Sequence, residues 1–275
     1  MSNNISASIV TFHSPENEIK NLLNGLVNSA ISTIYIIDNS LNDSLRSVQH
    51  ISNKIIYIHN ANLGYGAGHN IAINKALELK NKYHIVINPD IYLEGNSINI
   101  LKEYMDNHPN VGLVMPQILY PNGKIQYLCK LLPTPIDLII RRFIPISSYQ
   151  EKSNYKYELR FTNYDKEMEV PALSGCFMFI RCSVLDKIGG FDERFFMYAE
   201  DLDLCRRIGE ISQTIFYPNA RVFHAYEKGS YKNKKLLKYH IISIIKYFNK
   251  WGWFFDKKRR KKNKEILNSL QYKIK

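Results

Sequence analysis

The chain alternates short apolar runs with amphipathic stretches for most of its length. Residues 7–12 (Ala-Ser-Ile-Val-Thr-Phe), 33–37 (Thr-Ile-Tyr-Ile-Ile), 55–59 and 83–87 are apolar runs rich in β-branched and aromatic residues. Runs this short, bounded by polar turns, predict buried strands rather than helices. Between them Ile19, Leu22, Leu23 and Leu26 recur at helical spacing across 15–27. Residues 71–81 and 97–107 predict two more helices before an apolar run at 111–117. Strands that alternate with helices build βαβ units, so the expectation is an α/β fold with a mostly parallel sheet.

The second half is less regular. Pro121-Asn122-Gly123 predicts a tight hairpin. Residues 128–168 are rich in Tyr, Lys, Arg, Pro and Ser and show little periodicity, apart from an apolar helix-like piece at 136–144. An apolar run returns at 170–181 with Gly175 inside it, and short strands near 214–217 and 221–223 end at His224. Lys234–Phe255 predicts a basic amphipathic helix with Leu236, Leu237, His240, Ile241, Ile244, Ile245 and Phe248 on its apolar stripe. Trp251, Trp253, Phe254 and Phe255 lead into a polybasic run at 257–262.

Composition narrows the class. A length of 275 residues with 45% hydrophobic and 12% aromatic content excludes a disordered chain and fits one large domain or two small ones. The formal charge of +12 is confined to one end: 16 Lys/Arg face 2 Asp/Glu from Lys228 onward, against 21 and 23 before it. A near-neutral body with a basic tail points to an anionic partner for the tail: lipid head groups, nucleic acid or the chain's own nucleotide ligand. Cys129, Cys176, Cys182 and Cys205 form no C-x-x-C pair, and three of them lie in apolar runs, as expected of reduced cysteines in a cytosolic protein. No basic-then-apolar leader opens the chain, and no apolar run approaches the roughly 20 residues that span a bilayer. The expectation is a protein in the cytoplasm or lying on a membrane surface.

Candidate chemistry sits at strand ends and in loops. Asp38 closes the second apolar run, where an α/β sheet binds its ligands, though it is also an ordinary turn former. Gly64, Gly66 and Gly68 stand at spacing two before a helix, where backbone can approach a ligand closely and amide groups favour phosphate. The stretch is not G-x-G-x-x-G and follows the third strand, which argues against a dinucleotide fold. In Asn88-Pro89-Asp90 a carboxylate at a strand tip can hold a hard divalent cation together with phosphate oxygens, or merely close a turn. Glu200 and Asp201 follow a glycine pair and an aromatic run, at a predicted helix start. Asp201 lies three residues before Leu204, at the edge of the buried face, where a partly dry carboxylate can act as general base. The competing reading is that the pair only complements the helix dipole. His224, just after a strand, is a surface histidine or a ligand.

In this order and spacing the residues resemble the family 2 glycosyltransferases of GT-A fold, and most closely their bacterial rhamnosyltransferase-like branch. The resemblance rests on Thr11, Asp38-Asn39-Ser40, Asn62-x-Gly64-x-Gly66-x-Gly68-x-Asn70, Asn88-Pro89-Asp90, Gly189-Gly190-Phe191-Asp192, Phe196-Met197-Tyr198-x-Glu200-Asp201-x-Asp203-Leu204-Cys205-x-Arg207 and His224, and covers roughly residues 5–230. It implies a Rossmann-like nucleotide-sugar-binding domain over 1–230, with a mixed, mostly parallel sheet flanked by helices. A basic amphipathic helical tail over 231–275, associating with an anionic membrane surface, would follow. Thr11, Asp38, Asn62, Gly64, Gly66, Asn70 and Asn88 match donor-binding positions. Asp90 matches the second acid of a metal-binding Asp-x-Asp motif whose first acid is Asn88 here, so Mg2+ or Mn2+ would rest on Asp90 with His224. Glu200-Asp201 matches the catalytic pair, with Asp201 as base and Glu200 as its orienting neighbour.

The implied reaction is an inverting transfer of L-rhamnose from dTDP-L-rhamnose to a glycan on a polyprenyl diphosphate, at the inner face of the plasma membrane. It would serve O-antigen (lipopolysaccharide) or capsule synthesis, with residues 128–168 shaping acceptor specificity. Transfer from UDP-galactose or UDP-N-acetylglucosamine, and a catalytically silent nucleotide-binding or scaffold protein, are the alternatives. Nucleic acid is not expected as a partner, because no recognition motif accompanies the basic tail.

Overall fold

The computed structural model describes residues 4–138, 147–225 and 233–272, with backbone alone over 147–150. Most of the helix-like piece expected at 136–144 lies outside these residues. Strands β1 (Ile5–Thr11), β2 (Thr33–Asp38), β3 (Ile55–His59) and β4 (Tyr83–Ile87) pair in parallel in the order β3-β2-β1-β4. Helices α1 (Glu16–Val27) and α2 (Tyr65–Glu78) make the crossovers to β2 and β4, and a short 3-10 helix joins β2 to β3. Beyond β4 come β5 (Ile91–Leu93), α3 (Ser97–Asn107), β6 (Val111–Leu119), α4 (Ser147–Tyr157), β7 (Met168–Glu169) and β8 (Phe177–Arg181). Then follow α5 (Cys182–Ile188), α6 (Glu200–Ile208), β9 (Gln213–His224), α7 (Lys234–Trp251) and α8 (Lys257–Ser269). The nine strands form one sheet, β3-β2-β1-β4-β8-β6-β9-β5, with β7 on β9. Strands β1–β4, β6 and β9 point the same way and β5, β7 and β8 run against them, so the sheet is mixed and mostly parallel.

Strand β1 shows why the sequence tolerates polar residues in the core. Ser6 and Ser8 share the face opposite Ile5, Ala7 and Ile9. The Ser6 hydroxyl lies 2.8 Å from His84 Nδ1, and Ser8 bridges His84 Nε2 (2.8 Å) and His69 Nδ1 (2.6 Å). Burial pushes the His84 pKa down to about 3 and that of His69 well below its usual value, so both rings are neutral partners for hydroxyls.

Three elements differ from the sequence expectation. Helix α2 begins at Tyr65 rather than near 71, so the glycine stretch is the start of a helix and not a loop. A Cβ on Gly66 would lie 2.7 Å from Phe191 Cβ, and one on Gly68 would lie 2.8 Å from Val10 Cγ2, so these glycines let the helix lie close against its neighbours. The run at 170–181 is strand only from Phe177, because Ser174–Cys176 crosses the end of the sheet. The two short strands expected near 214–223 are one strand, β9, whose register against β6 shifts between Pro116 and Gln117.

The basic C-terminal segment packs onto the domain along its described length. Ile244, Tyr247 and Phe248 of α7 bury with Phe195 and Ala199. The polybasic run is helix α8, capped by Asp256, whose carboxylate accepts from Arg259 N at 2.9 Å and pairs with Arg206 at 2.6 Å. Both side chains of that pair are 4% exposed. Asn263 exchanges two 2.9 Å hydrogen bonds with the backbone of Leu132, and Ile266 enters the main core.

The tightest tie is Asp203 of α6, which is wholly buried. It accepts from Trp251 Nε1 (2.8 Å) and pairs with Lys250 (2.6 Å) and Arg207 (2.7 Å), while Lys250 also reaches Asp192 (2.7 Å). Removing one partner of such a network strands the others, at about 3–5 kcal/mol. Asp203→Ala should therefore lower unfolding stability by about 3 kcal/mol in urea titration. A loss below about 1 kcal/mol would mean the network holds no more than a surface pair does.

Candidate active site

The C-terminal ends of β4 and β9 and the segments that follow β6 and precede β8 open on one cavity of about 1000 Å3. Asn88, His224, Gly175, Glu200, Asp201 and Tyr65 line it. This is the edge at which a mostly parallel sheet binds ligands.

On one wall, β5 pairs with β9 so that Ile91 stands opposite His224, and this brings Asp90 Oδ2 to 3.3 Å from His224 Nε2. Gln126 fixes the imidazole from behind: its Oε1 lies 2.9 Å from His224 Nδ1, and its Nε2 donates to the His224 carbonyl at 2.7 Å. Burial opposes charging of the ring, but Cys176 and Asp90 beside it outweigh that and push its pKa up to about 10. Among the described residues no group of three or more His, Cys, Asp or Glu side chains is placed to hold a metal ion.

On the other wall, Glu200 and Asp201 open α6. Tyr198 (φ 69°) and Ala199 (φ 63°) immediately before it are both left-handed, a conformation that non-glycine residues adopt only under constraint. Asp201 accepts from Gly175 N (3.0 Å) through Oδ2 and from Leu202 N (2.8 Å) through Oδ1, which fixes the carboxylate and leaves each oxygen a free lone pair. Glu200 is 6% exposed, and its buried Oε2 has no hydrogen-bond partner among the described residues. Burial, and then the charge of Asp201, raise its pKa well above the usual carboxylate range, so Glu200 is a neutral acid.

Tyr65 joins the two walls. Its hydroxyl lies 2.8 Å from both Asn88 Oδ1 and the Gly175 carbonyl, while the Gly175 amide holds Asp201. Burial first, and the carboxylates around it next, keep the phenol protonated. The sequence signal for this residue was its place between Gly64 and Gly66, which directed attention to the glycines instead.

The model of the family described as "Glycosyltransferase like family 2" matches residues 3–240. The chain belongs to this family. It is 29% identical over 230 residues to an N-acetylglucosaminyl-diphospho-decaprenol L-rhamnosyltransferase of Mycobacterium tuberculosis, covering 78% of this chain and 73% of the relative. It is 25% identical over 250 residues to the rhamnosyltransferase WbbL of Escherichia coli K12 (87% and 90% covered). It is 31% identical over 211 residues to the low-salt glycan biosynthesis hexosyltransferase Agl10 of Haloferax volcanii (75% and 62%). Among solved structures it superposes on GalNAc-T7 with UDP, GalNAc and Mn2+ (TM-score 0.63, 13% identity, 98% of this chain) and on S. aureus TarS (0.58, 15%, 98%). The chain spans about half the length of these two, 55% and 43%. The shared fold is that of the GT-A glycosyltransferases, and this glycosyltransferase has its mixed sheet.

The remaining candidates divide between the cavity and its supports. Asn88 lines the cavity. Thr11 and Asp38 are buried at the tips of β1 and β2. The Asp38 carboxylate accepts from Tyr57 Oη (2.7 Å), Ser40 N (3.0 Å) and Thr11 Oγ1 (3.5 Å), so it points inward and shapes the turn. Asn62 accepts from Gly64 N at 3.2 Å. Gly64 (φ 110°) abuts the Phe196 backbone, where a Cβ would meet the carbonyl oxygen at 2.4 Å.

Gly66 and Asn70, expected at the donor, are not among the residues that line this cavity. The space beside Gly66 is filled by Phe191. The Asn70 amide accepts from Phe191 N (2.7 Å) and donates to the Phe191 carbonyl (2.9 Å) and Glu193 (2.8 Å). It braces the turn that leads to α6.

Two outcomes follow from this geometry. Tyr65→Phe should lower kcat about tenfold with donor KM unchanged, because it loosens Gly175 and so misplaces Asp201. A shift in donor KM with kcat intact would place Tyr65 in donor binding instead. Glu200 takes up a proton on folding, so its contribution is complete below its ordinary value of 4.5 and is lost as pH rises toward the folded-state pKa. Glu200→Gln, which keeps the neutral shape, should therefore stabilise the fold more at pH 8 than at pH 5, by about 1.4 kcal/mol per pH unit at most, read from thermal melts. An equal effect at both pH values would show that Glu200 is ionised in the fold.

Proposed function

We propose that this glycosyltransferase moves L-rhamnose from dTDP-L-rhamnose, with inversion, to a glycan carried on a polyprenyl diphosphate during bacterial O-antigen or capsule synthesis. The observation that carries the reading is that Asp201 and His224, with Asp90 beside the histidine, line one cavity as two separate groups held by different pieces of chain. An inverting transfer needs just that separation: a base on the acceptor hydroxyl and charge stabilisation at the leaving diphosphate, on opposite faces of the sugar.

In this reading Asp201 takes the proton of the acceptor hydroxyl as its oxygen bonds to the anomeric carbon. The bond from that carbon to the phosphate oxygen breaks, and dTDP leaves with the electron pair. Glu200, neutral, adds no second negative charge beside the base. A carboxylate oxygen and an imidazole nitrogen converging from neighbouring strands suit a divalent cation, Mg2+ or Mn2+, that takes its other ligands from a diphosphate. Such a cation would neutralise charge on the leaving group. Binding it at His224 means expelling the ring's proton. Rhamnosyl transfer is supported by the names of the Mycobacterium and Escherichia relatives, the lipid-diphosphate acceptor by that of the Mycobacterium relative, and the cation also by the Mn2+ in the GalNAc-T7 structure.

The same reading places the protein on the inner face of the plasma membrane. Among the described residues no helix is long and apolar enough to cross a membrane. Ile241, Ile242 and Ile245 of α7 and Phe254 and Phe255 after it are exposed, beside the basic helix α8, as suits an anionic lipid surface.

The test offers dTDP-L-rhamnose, UDP-galactose and UDP-N-acetylglucosamine with a short-chain N-acetylglucosaminyl diphospholipid, with and without Mn2+. The rhamnosyl donor should be turned over with an inverted product, read by NMR. Asp201→Asn should lose about 1000-fold in kcat while retaining donor affinity. Turnover of a UDP-sugar alone would replace the donor, and a near-normal Asp201→Asn rate would remove the base.

A further inference from the structure

The cavity extends well past the residues that the transfer reaction uses, and one wall of it is basic. Lys124, Lys130 and Arg160 all line it, although they come from three separate pieces of chain. Lys124 follows the tight turn after β6, where Tyr120 N donates to its carbonyl at 2.7 Å. Lys130 is bridged to Ala172 (2.9 Å), two residues before Ser174 enters the site. Arg160 opens the 3-10 turn that follows α4.

Tyr164 fastens these pieces together. Its hydroxyl accepts from Cys129 N at 3.0 Å and donates to the Glu158 carbonyl at 2.7 Å, so the strip that carries Lys130 and the turn that carries Arg160 form one fixed wall. Arg160 is itself oriented. Its guanidinium is 4.6 Å above the Tyr127 ring, and its Nε and Nη2 donate to Glu158 (2.8 and 2.5 Å), which leaves N–H groups to spare. Among the described residues neither Lys124 nor Lys130 has an acidic partner, whereas Lys82, Lys102, Lys250, Lys258 and Lys262 all do. Two unpaired ammonium groups and a pre-oriented guanidinium facing one cavity describe a site for a multiply charged anion.

We propose that Lys124, Lys130 and Arg160 form the subsite for the diphosphate of the acceptor, with Tyr127 as the floor beside it. This rests on the lipid-diphosphate acceptor of the proposed function. Two diphosphates pass through such a site, the donor's and the acceptor's. The Asp90–His224 pair already marks a place for the donor's. The basic wall begins beside it, because Gln126, two residues from Lys124, holds His224. It continues through Lys130, whose bridge partner Ala172 lies three residues before the Gly175 that holds Asp201, so it leads from the donor's place to the base that the acceptor must meet. The acceptor's first sugar then spans from the diphosphate to the base.

The experiment measures kcat/KM for two acceptors of equal chain length, an N-acetylglucosaminyl diphospholipid and the matching alkyl N-acetylglucosaminide, which has no phosphate. Wild type should prefer the diphosphate strongly. The double variant Lys124→Gln/Lys130→Gln should lose at least tenfold of that preference, and Lys124→Arg/Lys130→Arg should restore it, with melting temperatures confirming the fold. A preference kept within twofold overturns the subsite. A rise in donor KM with acceptor preference intact also overturns it, by assigning the cations to the donor. Calorimetry with the diphospholipid alone separates the two proposals. Tight binding that the double variant loses, without any transfer by wild type, defeats the proposed function and leaves the subsite standing.

Discussion

The structure depends on a turn that it must hold against its own preference. Tyr198 and Ala199 are both left-handed, without the glycine that would make this easy, and α6 starts from that turn. What keeps it in place comes from both sides. From the sheet side, Tyr65 N donates to the Phe196 carbonyl at 2.8 Å, with Gly64 packed against the same backbone. From the C-terminal side, Ser243 Oγ donates to the Met197 carbonyl (2.8 Å), Lys246 to that of Arg194 (2.6 Å), and Phe195 and Ala199 bury against α7. The result is a pair of carboxylates whose directions are set before any substrate arrives. This gives α7 a structural part in the site whether or not it also meets a membrane.

Asn88 is intelligible in the same terms. Tyr65 has one proton and two acceptors within 2.8 Å, Asn88 Oδ1 and the Gly175 carbonyl. An asparagine amide can be turned so that its NH2 donates to the phenol oxygen while the phenol donates to Gly175, and all three groups are then satisfied. An ionised aspartate at 88 has no proton to give and would compete with Gly175 for the phenol's. The departure from two acids in Asn88-Pro89-Asp90 therefore has a local reason, independent of how strongly a cation binds.

The parts of the molecule that follow from periodicity were legible in the sequence. Four apolar runs with amphipathic stretches between them became β1 to β4 and their crossovers, and of the polar residues that follow those runs Asn88 lines the cavity. What periodicity does not carry was not legible. Gly64, Gly66 and Gly68 have the spacing of a ligand loop and also pack closely on Phe196, Phe191 and Val10, neighbours that lie far away in sequence. The partners of Asn70, Phe191 and Glu193, are likewise distant in sequence. The polybasic run reads in sequence as a tail that seeks an anionic partner, because charge dominates it, yet Asp256, Arg259 and Ile266 tie it to the body. The basic wall was invisible for a further reason: Lys124, Lys130 and Arg160 come from three separate pieces of chain, and it takes Tyr164 to join the last two.

The electrostatic layout makes a consistent whole of these pieces. His224 with Asp90 beside it, the fixed Asp201 and the cations of Lys124, Lys130 and Arg160 gather about one cavity. Glu200 is held neutral because it is buried and the charge of Asp201 lies beside it. Neutralising Glu200 concentrates the negative charge at one point, where a hydroxyl proton has to go. Had both acids been ionised, they would have drawn on the same cations that the anionic substrates need. In the proposed transfer, a site that receives two diphosphates gains from a low acid count, and burial of Glu200 at the start of α6 keeps that count low.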